Sequence, residues 1–324
     1  MITKPLTTPI PLLQLQVLKR RLPSLHPSLP LIEQSLQLRT SGHKGETTSE
    51  YYFKVADSDD LSILFGLRIK SPKGYYFQMD VLVLHQNFYQ IYEIKNEAGT
   101  HLLDPETKQY TKLGPTGDEN RKNPFEQVSI QNYLFKEWLK LRQLPVPSNE
   151  QFVVKANRNS IFKMTAPNKE ITSQFIPAES IVQKILNAQQ SYKHQHYSQV
   201  GLKQLTQLVL GDHNEYKMNL FSYFPITEQD IVTGVLCPHC SQVMKAKDLN
   251  HWNCVKCGFV SDICIAKEAL KEHFYIFQRP VNTRECMEFL KLNSRYQALR
   301  ILKQMHTVKT GNHKDTKYFL KDLM

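Results

Sequence analysis

The segment FQMDVLVLHQNFYQIYEIKNEAG, Phe77 to Gly99, holds two apolar runs of strand length separated by the polar pair Gln86 and Asn87. Alternation with period two and a two-residue turn set a hairpin in which Leu82 faces Ile91 and Asp80 faces Glu93. Lys95, two residues beyond Glu93, shares that face, while Tyr92, Ile94 and Asn96 point the other way. Like charges directly opposite each other destabilise a sheet, and a buried carboxylate is costly without compensation. A divalent cation would supply it. The plainer alternative is a solvated sheet edge with a Glu93–Lys95 ion pair. However, Leu82, Leu84 and Ile91 share the acids' face and Val81, Val83 and Ile94 line the other, which argues against a wholly exposed hairpin.

Around this hairpin the chain alternates strands and helices, which implies a sheet flanked by helices. An amphipathic segment, Leu12 to Leu22, leads to SGHKGETTSEYYF, where a helix places Glu46 and Glu50 one turn apart on one face. FGLRI reads as a strand before the hairpin, and Thr100 to Lys122, with Gly114, Pro115 and Gly117, reads as a long loop. In NPFEQVSIQNYLFKEWLKL, Asn123 caps a helix with Pro124 at its first position. Val128, Gln131, Leu134 and Trp138 form its inward stripe, which Gln127 extends at the N-terminus. QFVVK then reads as a strand and PAESIVQKIL as a helix. From about Gln189 the composition turns polar and rich in His, Gln and Tyr, as in a connector.

A chain of 324 residues with 41% hydrophobic and 22% charged residues has room for two or three domains with cores. No run approaches the eighteen or so apolar residues of a membrane span, and the N-terminus, with prolines at 5, 9 and 11, lacks a signal-peptide core. A cytoplasmic protein without a membrane partner is expected. The absence of acids before Glu33, against Lys4, Lys19, Arg20 and Arg21, fits a basic surface helix better than an organellar presequence. Net charge is +11 and the pI is near 9.2. From Ile265 onward, twelve Lys and Arg stand against six Asp and Glu, so more than half the excess sits in the tail. A polyanionic partner is implied.

The ordered set of Gly45–Glu46, Gln78-Met79-Asp80, Glu93-Ile94-Lys95-Asn96 and Asn123-Pro124-Phe125-Glu126-Gln127 resembles the nuclease-related domain (NERD) of the PD-(D/E)xK nuclease superfamily. The resemblance covers residues 36 to 185 or so. It implies an α/β fold with a restriction-endonuclease-like mixed sheet flanked by helices. It also implies that Asp80 and Glu93 hold a catalytic Mg²⁺ or Mn²⁺, with the carbonyl of Ile94 as a further ligand. Lys95 would orient or help deprotonate the attacking water and stabilise charge on the phosphate. Glu46 matches the family's helical acid and would reach the metal through water, with Glu50 its competitor one turn on. Gln127 matches the glutamine of the family's NPxxQ helix and would position the phosphate or Lys95, unless it only satisfies a buried backbone group. Met79 stands where the superfamily has a proline before its first acid.

Cys237-x-x-Cys240 and Cys254-x-x-Cys257 are separated by thirteen residues, a spacing suited to a zinc ribbon in which two knuckles converge on one structural Zn²⁺ and Gly258 makes a tight turn. His239 and His251 read as surface residues, Cys264 and Cys286 as small hydrophobes. In the tail, Thr283 is expected to cap a helix to Leu290, and Ser294 a second from Arg295 to Met305. A two-stranded wing turning at Gly311 and Asn312 would follow. This resembles a winged helix, with Arg295, Gln297 and Arg300 facing a groove and Lys309, Lys314 and Lys317 meeting phosphates. A basic structural cap is the alternative.

The expected organisation is an N-terminal helical extension (1–35), a nuclease domain (36–188), a helical connector (189–232), a zinc ribbon (233–263) and a winged-helix-like domain (264–324). The expected function is a metal-dependent nuclease acting on nucleic acid, DNA in preference to RNA. Its rival is a non-catalytic binding or regulatory protein on the same fold.

Overall fold

The computed structural model describes residues 1–312 and 315–323. The chain divides into two compact units, one of Met1–Pro9 with Leu38–Tyr216 and one of Ile10–Gln37 with Lys217–Met324. The first strand, β1 (Ile2–Lys4), therefore belongs to the first unit and the first helix, α1 (Ile10–Arg21), to the second.

The first unit takes most of the long helix α2 (Leu29–Val55) and is built on a six-stranded mixed sheet. Its strands are β1, β2 (Ser62–Lys70), β3 (Tyr76–Leu84), β4 (Phe88–Lys95), β8 (Ser148–Lys155) and β10 (Phe175–Pro177), in that spatial order. β2–β3 and β3–β4 pair antiparallel, whereas β1–β2, β4–β8 and β8–β10 are parallel. The hairpin takes the expected register, with Leu82 opposite Ile91 and Val81 opposite Tyr92. Gln86 and Asn87 form its turn, closed by His85 N–H donating to Phe88 O at 2.9 Å.

One sheet face packs Leu82, Leu84 and Ile91 against α3 (Pro124–Leu141), through Val128, Phe135 and Trp138. The other packs Val81, Val83, Tyr92 and Ile94 against Phe53 of α2 and Ile181 and Ile185 of α5 (Ile181–Ser191). Both faces are thus covered, as expected of a sheet with apolar residues on each side. A shorter helix, α4 (Lys169–Gln174), precedes β10, and α6 (Gln199–Gly211) adds Leu202, Leu205 and Val209 to the α3 face.

The expected loop from Thr100 to Lys122 instead contains three short strands. β5 (Gly99–Leu103), β6 (Tyr110–Leu113) and β7 (Glu119–Arg121) join β9 (Ser160–Met164) in a four-stranded sheet. Its strands are only three to five residues long and separated by Gly, Pro and Asp, so local sequence reads as loop while cross-strand pairing decides otherwise.

The second unit packs a three-stranded ribbon of β11 (Lys245–Ala246), β12 (His251–Asn253) and β13 (Val260–Asp262) on α8 (Ile263–Phe277), while α1 and the short α7 (Leu220–Tyr223) form a separate core with Ile276 of α8. α9 (Thr283–Leu290), α10 (Arg295–Gln304) and the hairpin β14 (Thr307–Thr310) and β15 (Lys317–Leu320) follow. α8, α9 and α10 share one core with Trp252 and the ribbon. Arg21 of α1 is wholly buried in this unit. Its Nε donates to Glu272 at 2.6 Å and its Nη1 to Val232 O at 2.7 Å and Gly234 O at 3.1 Å. A buried guanidinium is tolerable only with such a set of acceptors.

Asn282, not Thr283, caps α9, because Glu285 completes a capping box with it. Ser294 caps α10 as expected. β14 ends at Thr310 and β15 begins at Lys317, so more residues than Gly311 and Asn312 separate the two strands. Among the described residues, no helix is long and apolar enough to cross a membrane.

Candidate functional site

Where β3 and β4 part, three charged side chains meet. The β3–β4 ladder extends to Val81 opposite Tyr92. At the next position Asp80 reaches across, and its Oδ2 accepts the Ile94 N–H at 2.8 Å. Strand alternation also slips here. Leu64 and Leu67 of β2 lie three residues apart yet pack in one cluster, as do Met79 and Leu82 of β3. Between them sit Gly66, in the left-handed region at φ +57°, and Asp80. Glycine absorbs such a reversal of the pleat at little cost. The slip frees Asp80 from ordinary pairing with β4.

Glu93, 2% exposed, is held on both oxygens. Lys95 Nζ donates to its Oε1 at 2.6 Å and Gln131 Nε2 to its Oε2 at 2.8 Å. Lys95 Nζ also donates to Gln127 Oε1 at 3.2 Å. One face of α3 therefore presents two glutamines, four residues apart, each gripping one member of the Glu93–Lys95 pair. Asn123 positions that helix, its side chain accepting from Phe125 N at 2.9 Å and Glu126 N at 3.3 Å. The Gln131 partnership was not foreseen from sequence, although its spacing from Gln127 carried the signal. Gln131 Oε1 is buried and unpaired among the described residues.

Glu46 comes from α2, and Gly45 lets it approach. A Cβ at Gly45 would lie 2.4 Å from Asn96 Cβ, so only glycine lets the helix press against the end of β4. Asn96 Nδ2 donates to Ser41 O at 2.7 Å and Ser41 Oγ to Asn96 O at 3.2 Å, clasping the same two elements. His43 Nδ1 stands 3.6 Å from Glu46 Oε2. Glu50 instead pairs with Lys54 at 2.9 Å.

Burial pushes the Asp80 carboxyl well above the usual carboxylate range, and Glu93 and Glu46 push it the same way. Glu46 is raised too, first by burial, against the opposing pull of His43. Burial draws the Lys95 ammonium down, but Glu93 and Asp80 outweigh it, so Lys95 is held above its ordinary value. Carboxyls raised in this way lack positive charge. Their oxygen donors suit a hard divalent cation.

In that unit, the sulfurs of Cys237, Cys240, Cys254 and Cys257 all lie within 4.8 Å of one another. Cys237–Cys257, Cys240–Cys254 and Cys240–Cys257 are 3.6, 3.4 and 3.7 Å apart. A tetrahedral zinc at about 2.3 Å from each sulfur needs edges of about 3.8 Å, so the four thiols fit the ion. The two knuckles are alike: Ser241 N–H donates to Cys237 O and Gly258 N–H to Cys254 O, both at 2.9 Å. Gly258 has φ +75° and Ser241 φ +56°. The backbone N–H of Cys257, ahead of that of Lys256, pulls the Cys254 thiol down to about 6. Cys286 is buried as expected, but Cys264 is exposed on the first turn of α8, its N–H capped by Asp262.

Of the tail residues, Arg295, Lys309 and Lys317 are exposed and Arg300 is partly so. Gln297, expected beside them in a groove, is buried, and its Nε2 donates to Asp248 O of the ribbon at 3.0 Å. Lys314 lies outside the described residues.

No curated protein and no solved structure matches the chain. Residues 41–155 match the family model of the nuclease-related domain, a segment that spans Glu46, Asp80, Glu93, Lys95 and Gln127. Residues 41–155, which hold strands β2 to β8, are thus similar to a nuclease-related (NERD) domain, and the second unit holds a four-cysteine cluster.

Proposed function

We propose that the protein is a Mg²⁺- or Mn²⁺-dependent nuclease that hydrolyses phosphodiester bonds, in DNA ahead of RNA. The observation that carries this reading is the convergence of Asp80, Glu93 and Lys95 at the parting of β3 and β4, with Glu46 brought up by α2. Asp80, Glu93 and the Ile94 carbonyl would hold the ion, and Glu46 would act through water. When bound, such a cation polarises the phosphate and lowers the pKa of a bound water.

The chain's own groups do the rest. Lys95, fixed between Glu93 and Gln127, has one N–H donor left for the attacking water or a phosphate oxygen, where negative charge develops. Gln127 keeps that ammonium from folding onto Glu93 alone. The four cysteines take a structural zinc. Arg295, Arg300, Lys309, Lys314 and Lys317 of the winged-helix-like tail supply affinity for the polyanion.

Alanine variants of Asp80, Glu93 and Lys95 test the assignment. Each should lower the rate of cleavage about 100-fold or more while leaving circular dichroism and nucleic-acid binding close to wild type. Full activity in any of them removes that residue from the mechanism. A folded wild type that binds but never cleaves would favour a binding protein.

A further inference from the structure

The β2–β3 hairpin runs beyond the catalytic cluster and ends in the turn Lys70-Ser71-Pro72-Lys73-Gly74-Tyr75-Tyr76. The turn is closed by Ser71 N–H donating to Tyr75 O at 2.7 Å and Gly74 N–H to Ser71 O at 2.9 Å, with Gly74 at φ +88°. It displays two exposed tyrosines, Tyr75 at 74% and Tyr76 at 43%, and Tyr216, 40% exposed, lies near Tyr76 across Arg68.

The Arg68 guanidinium stacks over the Tyr76 ring at 3.8 Å and lies 5.4 Å from the Tyr216 ring. Its Nη1 is fixed by Asn214, through the carbonyl at 3.0 Å and the side chain at 3.1 Å. Lys70 and Lys73 are exposed beside it. Between the turn and the end of α3 lies a cavity of about 590 Å³, lined by Lys70, Tyr76, Arg142 and Asp212 among others.

Water-facing aromatics on a closed turn, interleaved with cations, match the face of an unpaired base together with its phosphate. Paired bases inside a duplex offer no such face. Because the turn and Arg68 are already held, little conformational entropy is lost on stacking. Tyr76 also lies four residues before Asp80 on the same strand, about 13 Å at the usual rise. A strand lying on the tip is thus a few nucleotides from the carboxylates.

We infer that this hairpin tip is a stacking platform for a single-stranded segment of nucleic acid, which it feeds toward the Asp80–Glu93 cluster. The inference rests on the nuclease reading for its direction, but its test does not require cleavage.

The full chain, in buffer free of Mg²⁺ and Mn²⁺, is irradiated with a single-stranded oligonucleotide carrying 5-bromodeoxyuridine, and the cross-linked peptides are mapped. Cross-links at Tyr75, Tyr76 or Tyr216 are expected. In parallel, Tyr75→Ala should bind the oligonucleotide about tenfold more weakly, while Tyr75→Phe and Tyr75→Trp bind as wild type does. Lys70→Ala and Lys73→Ala should each lower the slope of log affinity against log salt by about 0.7.

Cross-links confined to residues 217–324, or a Tyr75→Ala protein with unchanged affinity, overturn the platform. If such a protein still cleaves in Mn²⁺, the nuclease reading survives that loss. If the platform binds but no substrate is cut, the platform stands and the nuclease reading falls.

Discussion

Glu93 can serve as a metal ligand only if its carboxylate keeps one orientation, and Gln131 supplies half of the grip that fixes it. Gln131→Leu removes that donor without opening a large cavity. It should lower the cleavage rate about 10- to 100-fold and raise the Mn²⁺ concentration needed for half-maximal rate, as read from a metal titration of the rate. A loss of rate with an unchanged metal requirement would assign Gln131 to packing alone. Gly45→Ala should cost about 1–3 kcal/mol in chemical denaturation and also reduce cleavage, because the new methyl meets Asn96 and lifts Glu46 away. Sequence alone put Glu93 and Lys95 on one face, since strand alternation and a two-residue turn leave few registers, but it missed the slip by which Asp80 meets the Ile94 N–H instead of pairing opposite Glu93. It did not reveal why position 45 is glycine. The constraint is a contact with Asn96, about fifty residues away, and no local pattern encodes it.

The two knuckles of the ribbon repeat one backbone shape, but Ser241 stands in the left-handed region where Gly258 uses glycine. Ser241→Gly should therefore stabilise the ribbon by about 1 kcal/mol, visible as slower loss of zinc to a chelator. The cysteine spacing made this element legible, because metal geometry leaves little freedom between the knuckles. α3 was legible for the same kind of reason, through Asn123 and Pro124 at its start. Strands β5 to β7 were not, because pairing partners rather than propensity make them. On α8, His273 is buried against the rings of Phe274, Phe277 and Phe289. Burial, then Arg279 and Arg21, pull its pKa from 6.5 down to about 3. The unfolded chain takes up this proton as pH falls through 6.5 while the folded chain refuses it, so stability drops between pH 6.5 and 3. His273→Phe should move the acid-unfolding midpoint of the second unit to lower pH, followed by hydrogen exchange of the α8 amides. An unmoved midpoint would mean that other groups govern acid unfolding.

Over the whole chain, the N-terminal residues 10–37 belong with the C-terminal unit, where Gln14 Nε2 donates to Met218 O at 3.0 Å and Arg21 to Glu272. Nothing near residue 14 announces a partner two hundred positions later, so a reading by segments sees only an amphipathic helix. The same packing decides how the tail can be tested. Cutting at Lys267 would take most of α8, and all of α9 and α10, out of a shared core. Surface substitution of Arg295, Arg300, Lys309 and Lys317 is the cleaner route. Each lost cation that meets a phosphate of duplex DNA should reduce the salt slope of binding by about 0.9, whereas a merely structural cap would leave the slope unchanged. The claim on which the rest depends is that the carboxylates at the parting of β3 and β4 run metal-dependent phosphodiester hydrolysis. The most direct measurement incubates wild type and Asp80→Asn with duplex, single-stranded and branched DNA, with and without added Mg²⁺ or Mn²⁺. The expected result is cleavage by wild type only when the metal is added, reduced at least about 100-fold in Asp80→Asn. Cleavage that persists undiminished in Asp80→Asn, or a folded wild type that cuts none of these substrates with either metal, would contradict it.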